Sequence, residues 1–358
     1  MKIEGARNDV GNFLPQPTGV TKHDIVVMGA SAGGIEALRT VVSGLPKDLP
    51  SAVFVVLHMG PDSPGLLHQI LGRASDISVV SPHDKERILT RRVYVAPPDR
   101  HLIIEPGVIC LSRGPKENRF RPAIDPLFRS AGSVYGPRAI GVILTGGLDD
   151  GTAGLWALKQ LGGTSVVQDP ADALFPSMPE SALRYVAVDY CVSLSEIAPL
   201  LVRLTEAPAE EKGRYDVPEH VGIEVKIAKQ DPAIDQDVRD IWEKSSFTCP
   251  ECHGVLLQLK EGNRERFRCH TGHAFSEDSL LAFITEGVEE SLWTTIRNIE
   301  ESVLLMRHMA THLREHDPKA AQAFLLKAEE ARKRSELVRQ AVYQHEELNE
   351  ERIEEEVK

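Results

Sequence analysis

Three short stretches carry polar groups placed where they could do chemistry. Gly29-Ala30-Ser31-Ala32-Gly33-Gly34 sets one hydroxyl in a run of small residues. Val55-Val56-Leu57-His58-Met59 ends an apolar run on an imidazole, and Leu144-Thr145-Gly146-Gly147-Leu148-Asp149-Asp150-Gly151 ends another on two carboxylates. A serine hydroxyl is a poor nucleophile unless a base takes its proton, and the base needs a carboxylate to orient it. Ser31, His58 and one of Asp149 or Asp150 could supply those groups. Each also has a plainer reading. The small-residue turn fits a simple tight turn or a phosphate-binding loop, His58 fits a histidine hydrogen-bonded at a strand end, and either aspartate fits a helix N-cap. The dinucleotide pattern needs a glycine where Ser31 stands, and no Lys-Ser/Thr pair follows to make a P-loop.

A second cluster lies far along the chain. Cys249-Pro250-Glu251-Cys252 and Cys269-His270-Thr271-Gly272-His273 have the spacing with which two turns close a tetrahedron around structural Zn²⁺. The expected ligands are Cys249, Cys252, Cys269 and His273, with His270 the competing choice for the fourth. A redox pair at Cys249 and Cys252 is the other chemical reading. Four protein ligands would close such a site to catalysis.

The elements that must position Ser31, His58 and the aspartates are apolar strands alternating with helices. Ile25–Met28, Ala52–Leu57, Ile140–Leu144 and Thr164–Val167 are continuous apolar runs, whereas Leu38, Val41, Val42 and Leu45 recur at helix spacing. That alternation predicts a doubly wound α/β domain with a mainly parallel sheet covered on both faces. Polar groups at the carboxyl ends of such strands share one rim. Arg92–Ala96 and Leu102–Ile104, flanking Pro97-Pro98-Asp99, read as paired strands.

Residues 23–204 resemble the catalytic domain of the chemotaxis protein-glutamate methylesterases. Besides the Ser31 turn and His58, the resemblance rests on Val95-Ala96-Pro97-Pro98-Asp99-Arg100-His101 and Arg121-Pro122-Ala123-Ile124-Asp125-Pro126-Leu127-Phe128. It continues through Leu144-Thr145-Gly146 with Asp150-Gly151, and Gln168-Asp169-Pro170 with Phe175-Pro176-Ser177-Met178-Pro179. It implies a Ser–His–Asp triad with Ser31 as nucleophile, His58 as base and Asp150, next to the glycine, as the orienting acid. It also implies backbone N–H groups near Ala32 and Gly147 as oxyanion donors. The implied activity is hydrolysis of glutamate methyl esters on chemoreceptor helices, with deamidation of receptor glutamines as a second activity and no catalytic cofactor. Gly147 and Leu148 depart from the commoner Met-Gly form of that turn. Only about 22 residues precede the domain, too few for the receiver domain usual in members acting in chemotaxis. Phosphorylation control within this chain is therefore not expected.

The rest of the chain divides as follows. Residues 1–22 read as a flexible tail and 205–246 as a charged, proline-bearing linker. Residues 247–285 read as a small zinc-ribbon-like module, and 286–358 as a helical tail. In the tail Leu292, Ile296, Ile299, Val303, Met306, Ala310 and Leu313 form an a/d seam. An antiparallel hairpin fits that seam as well as a homodimer or a coiled-coil partner does. The 358 residues carry a net charge of −12, which argues against nucleic-acid binding. No apolar stretch is long enough to span a membrane and no signal peptide is visible, so a cytoplasmic enzyme is expected. The competing classes are a non-catalytic signalling scaffold on the same fold and a nucleotide-binding protein.

Overall fold

The computed structural model describes residues 22–209, 217–230 and 242–345. The chain divides into two compact units, with the sequence boundary between Trp242 and Glu243. The first contains β1 (Ile25–Ala30), β2 (Ala52–Leu57), β3 (Ser78–Val80), β4 (Arg92–Val95), β5 (His101–Glu105), β6 (Val108–Ser112), β7 (Ala139–Ile143), β8 (Thr164–Gln168) and β9 (Tyr190–Val192). Its helices are α1 (Gly34–Ser43), α2 (Leu67–Arg73), α3 (Ile124–Tyr135), α4 (Thr152–Gln160), α5 (Ser177–Tyr185), α6 (Leu194–Glu206) and α7 (Glu219–Ala228).

Seven strands make one sheet in the order β3-β4-β2-β1-β7-β8-β9, and the neighbours run parallel. Every residue of β1 and β2 is buried, because helices cover both faces. Alternate residues serve opposite layers. Val26, Met28, Val53 and Val55 pack with Leu38, Val41, Ile197 and Leu201 on one side. Val27, Phe54 and Val56 pack with Leu127, Phe128, Leu155 and Leu158 on the other. The expected doubly wound α/β architecture is therefore present. The chain leaves β1 toward β2 on one side and later returns to place β7 on the other. The carboxyl ends of β2, β1 and β7 thus adjoin at the switch point, where ligand sites form in open α/β sheets.

Two expectations need correction. Residues 92–96 and 102–104 are not paired with each other. β4 is a sheet strand between β2 and β3, while β5 pairs antiparallel with β6. The reason is the Pro106-Gly107 turn: Gly107 takes φ 74° and closes a two-residue hairpin that draws β5 away from β4. The segment 205–246 is not simply a linker, since α7 lies within it. Val221 packs on Ala157 and Leu161, and Ala228 on Ile103 and Cys110. The tail before residue 22, residues 210–216 and 231–241 of that segment, and the acidic end after residue 345 lie outside the described residues.

The second unit begins with a four-stranded antiparallel sheet, β10 (Glu243–Thr248), β11 (Val255–Glu261), β12 (Arg264–Cys269) and β13 (Ala274–Ser276), in chain order. Two helices follow, α8 (Glu277–Leu313) and α9 (Pro318–Tyr343). Ser276 caps α8 by accepting the Ser279 N–H at 3.0 Å, and Asp317 caps α9 by accepting that of Ala320 at 3.0 Å. The α8 seam is used within the chain: Val303 packs with Ala328 and Ala331, flanked by Ile299 and Met306. The small side chains on α9 let the helices approach closely. That packing is the intrachain antiparallel hairpin. Among the described residues, no helix is long and apolar enough to cross a membrane.

Candidate active site

Ser31 follows β1 directly. Its own N–H donates to Thr145 O at 3.0 Å, which ties the β1 turn to the turn after β7. Gly33 makes the bend into α1 in the left-handed region, φ 73°, where a side chain would be strained. The turns are stapled a second time by Thr145, whose hydroxyl donates toward Ala32 O at 3.1 Å and accepts the Phe175 N–H at 2.8 Å. Gly146 allows this closeness. A Cβ there would stand 2.8 Å from Ser31 Cβ and 2.1 Å from Met178 Sδ.

His58 follows β2, and its backbone N–H donates to Ala30 O at 3.2 Å. Its ring lies between the other two candidates, with Nδ1 3.0 Å from Ser31 Oγ and Nε2 2.6 Å from Asp150 Oδ2. Asp150 is buried, as is the side chain of His58. Burial pushes the Asp150 carboxyl up, but hydrogen bonds from His58, the Ile124 N–H and Asn118 outweigh it and bring it down to about 2. The carboxylate is thus ionised and held by the N-terminus of α3, where free N–H groups favour an anion. Oδ2 accepts from Ile124 N at 2.7 Å, and Oδ1 from Asn118 Nδ2 at 2.8 Å. Asp149 is buried beside it, with its carbonyl taken by the Thr152 N–H at 3.2 Å. It is Asp150 that meets the imidazole.

Three supports were not singled out from sequence. Asn118 donates to both Asp150 and Asp125, the latter at 3.0 Å. Asp125 accepts the Gly151 and Gly154 N–H groups at 3.1 and 2.6 Å, so it caps α4 from across the site. Phe120 stacks on His58 with centroids 3.7 Å apart and planes 6° from parallel. The Arg121–Phe128 motif contained Asp125, but nothing in its spacing marks it as a cap for another helix.

The donors for an oxyanion can be sorted by use. The Ser31 N–H is spent on Thr145 O and the Gly146 N–H on Phe175 O at 3.0 Å. Among the described residues, no such bond ties up the N–H of Ala32 or Gly147. The arrangement can therefore move a proton from Ser31 Oγ to His58 Nδ1, and the Ala32 and Gly147 N–H groups are not spent on backbone carbonyls, which suits the chemistry of acyl transfer.

The CheB methylesterase family profile matches residues 26–201. A Leptospira interrogans relative, assigned by name to the protein-glutamate methylesterases/protein-glutamine glutaminases, is 41% identical over 191 residues. These cover 53% of this chain and 99% of that protein. The chain belongs to the CheB methylesterase family. A protein-glutamate methylesterase/protein-glutamine glutaminase of Anaeromyxobacter dehalogenans is 38% identical over 189 residues, covering 53% of this chain and 55% of its own length. The crystal structure of the Thermotoga maritima CheB methylesterase catalytic domain aligns over 51% of this chain and 100% of its own, with 34% identity and a TM-score of 0.49. The family segment ends before α7, so that helix and the whole second unit lie outside the matched residues.

In the second unit the ligand atoms of Cys249, Cys252, Cys269 and His273 all lie within 4.8 Å of one another. Cys252 Sγ is 3.6 Å from Cys269 Sγ, and His273 Nδ1 is 3.8 Å from Cys249 Sγ and 3.6 Å from Cys269 Sγ. Ligands about 2.3 Å from one ion at tetrahedral corners stand about 3.8 Å apart, so the donor set fits Zn²⁺. His270 is exposed, and its ring lies against Gly254. None of the five cysteines is in a disulfide.

Proposed function

We propose that this CheB-family chain hydrolyses methyl esters of glutamate side chains on chemoreceptor helices and deamidates receptor glutamines, using Ser31, His58 and Asp150. The observation that carries the reading is the single imidazole that reaches Ser31 with one nitrogen and Asp150 with the other. The names of its relatives supply the substrate class.

His58 Nδ1 takes the proton of Ser31 Oγ as that oxygen attacks the ester carbonyl. The Nε2–H donates to Asp150, which fixes the tautomer and stabilises the imidazolium. The N–H groups of Ala32 and Gly147 receive the oxyanion. His58 returns the proton to the leaving methoxide, and methanol departs. A water then gives its proton to His58 and attacks the acyl-serine, which frees the glutamate carboxylate and restores Ser31. With an amide the same steps expel ammonia. A non-catalytic scaffold would have no use for an ionised Asp150 held on a base.

The second unit is proposed to hold one structural Zn²⁺ through Cys249, Cys252, Cys269 and His273. The metal would cross-link two turns of a small sheet, and with all four positions filled by protein it takes no part in hydrolysis. Five cysteines with no disulfide among them fit a reducing, cytoplasmic setting.

Mass spectrometry of methylated receptor peptides after incubation with the full chain tests the activity. The wild type should remove methyl groups from glutamates and leave free carboxylates, and Ser31→Ala should leave the peptides methylated. Equal demethylation by both would refute the assignment.

A further inference from the structure

The supports of the triad converge on one short loop and on α7, which lies outside the family-matched segment. In the loop, Asn118 donates to Asp150 and Phe120 stacks on His58. Asn118 and Arg119 both have positive φ, 48° and 76°, so the loop keeps its shape only if its surroundings hold it. Glu117 and Phe120 exchange backbone hydrogen bonds of 3.2 and 2.9 Å. The buried Glu117 carboxylate takes the guanidinium of buried Arg129 on α3. Arg129 Nε in turn lies 3.4 Å from the carboxylate of Glu224 on α7, which is fully buried.

The seating of α7 is close. A Cβ on Gly114 would meet Ala228 O at 2.2 Å, so the two backbones approach as only glycine permits. Gln230 Nε2 donates to Arg113 O at 2.9 Å, and Lys229 pairs with Glu105 at 2.5 Å. Buried carboxylates persist only when paired, and removing one partner of such a group is costly for those that remain.

We infer that α7 is a latch on the triad: Glu224 holds, through Arg129 and Glu117, the loop whose Asn118 and Phe120 fix Asp150 and His58. This rests on the reading of Ser31, His58 and Asp150 as the catalytic groups. Glu224, Arg129, Glu117, Asn118 and Phe120 are positioning residues. The ring of Phe120 holds the plane of the imidazole, and Asn118 holds the acid. Undocking α7 leaves Arg129 with a changed set of partners and lets the loop relax, and a small misplacement of catalytic groups is enough to slow the reaction.

The test uses the full chain as Glu224→Gln, Asn118→Ala, the double variant, Phe120→Ala, Phe120→Tyr and Lys229→Ala. Methyl release gives kcat and KM. The rate at which a fluorophosphonate labels Ser31 gives a readout independent of any receptor, and the ¹⁵N shifts of His58 report its tautomer. Glu224→Gln should lower kcat and labelling about tenfold with KM unchanged. In the Asn118→Ala background it should add clearly less than its tenfold effect in the wild type, because both act through the same loop. Phe120→Ala should lower kcat and shift the His58 signals, and Phe120→Tyr should restore both. Lys229→Ala, which loosens α7 without touching the buried pairs, should give a smaller loss in the same direction. If Glu224→Gln does not fold, Lys229→Ala decides. A lowered melting temperature with unchanged kcat and labelling in the α7 variants, or fully multiplicative effects in the double variant, overturns the latch. Absence of methanol release by the wild type, with the labelling pattern as described, would refute the substrate reading and leave the latch standing.

Discussion

His58 presents Nδ1 to Ser31 and Nε2 to Asp150, so a tautomer with its proton on Nε2 would donate to the carboxylate and leave Nδ1 as the base. Asp150 can enforce that tautomer because its other oxygen and the remaining lone pairs are engaged by Asn118 and the start of α3. The same crowding makes any side chain at position 146 costly. Gly146→Ala should destabilise the first unit by about 1–3 kcal/mol through overpacking and slow hydrolysis by pushing Ser31 aside, as thermal melts and initial rates would show. An alanine variant with wild-type melting and rates would mean that Met178 and Ser31 yield freely. Ser31, His58 and the aspartate pair were legible in the sequence because each ends an apolar run. The choice of Asp150 over Asp149 was not legible from spacing, since adjacent residues point apart only once the turn is folded. Asn118 and Phe120 were hidden because a loop of positive φ has no period to read.

At the level of elements, the buried parallel strands were the clearest feature, since a strand covered on both faces must be continuously apolar. The β5–β6 hairpin was misread because an apolar triplet beside a proline-rich turn fits either neighbour, although Pro106-Gly107 marked the true partner. Helix α7 was missed because Glu219, Glu224, Lys226 and Lys229 mask a short stripe of Val221, Val225 and Ala228. The two turns bearing Cys249 to Cys252 and Cys269 to His273 are short, and the core around them is small: Leu256, Phe267, Phe275 and Leu280 with the cysteines. Metal binding to such a module is coupled to its folding. Anaerobic chelation of zinc should therefore lower the melting temperature of the second unit while leaving methyl release by the first unchanged. Protein that contains no zinc by elemental analysis and melts identically with chelator would remove the metal from the account.

Across the whole molecule, acid should act in two steps. His101 is completely buried, with Nε2 donating to Pro115 O at 2.8 Å, and burial first of all lowers its pKa from the ordinary 6.5. Its folded pKa is depressed, so its contribution is fully present above the unfolded value and is lost as pH falls below it. Asp150, brought from 3.8 to about 2, contributes on the order of 2 kcal/mol above its unfolded pKa, lost as pH falls toward the folded one. Urea midpoints should fall between about pH 7 and 5, and less steeply in His101→Gln. Equal slopes would show that another group governs that limb. The larger claim is that the fold brings three turns, separated by more than a hundred residues of chain between Ser31 and Asp150, into one reacting unit. Methanol release from methylated receptor by wild type, Ser31→Ala, His58→Gln and Asp150→Asn tests it most directly. The expected result is a loss of about 10⁴-fold for each single variant, with the triple variant no slower than the worst single one. Three modest, independent losses that multiply, or a variant at the wild-type rate, would contradict it.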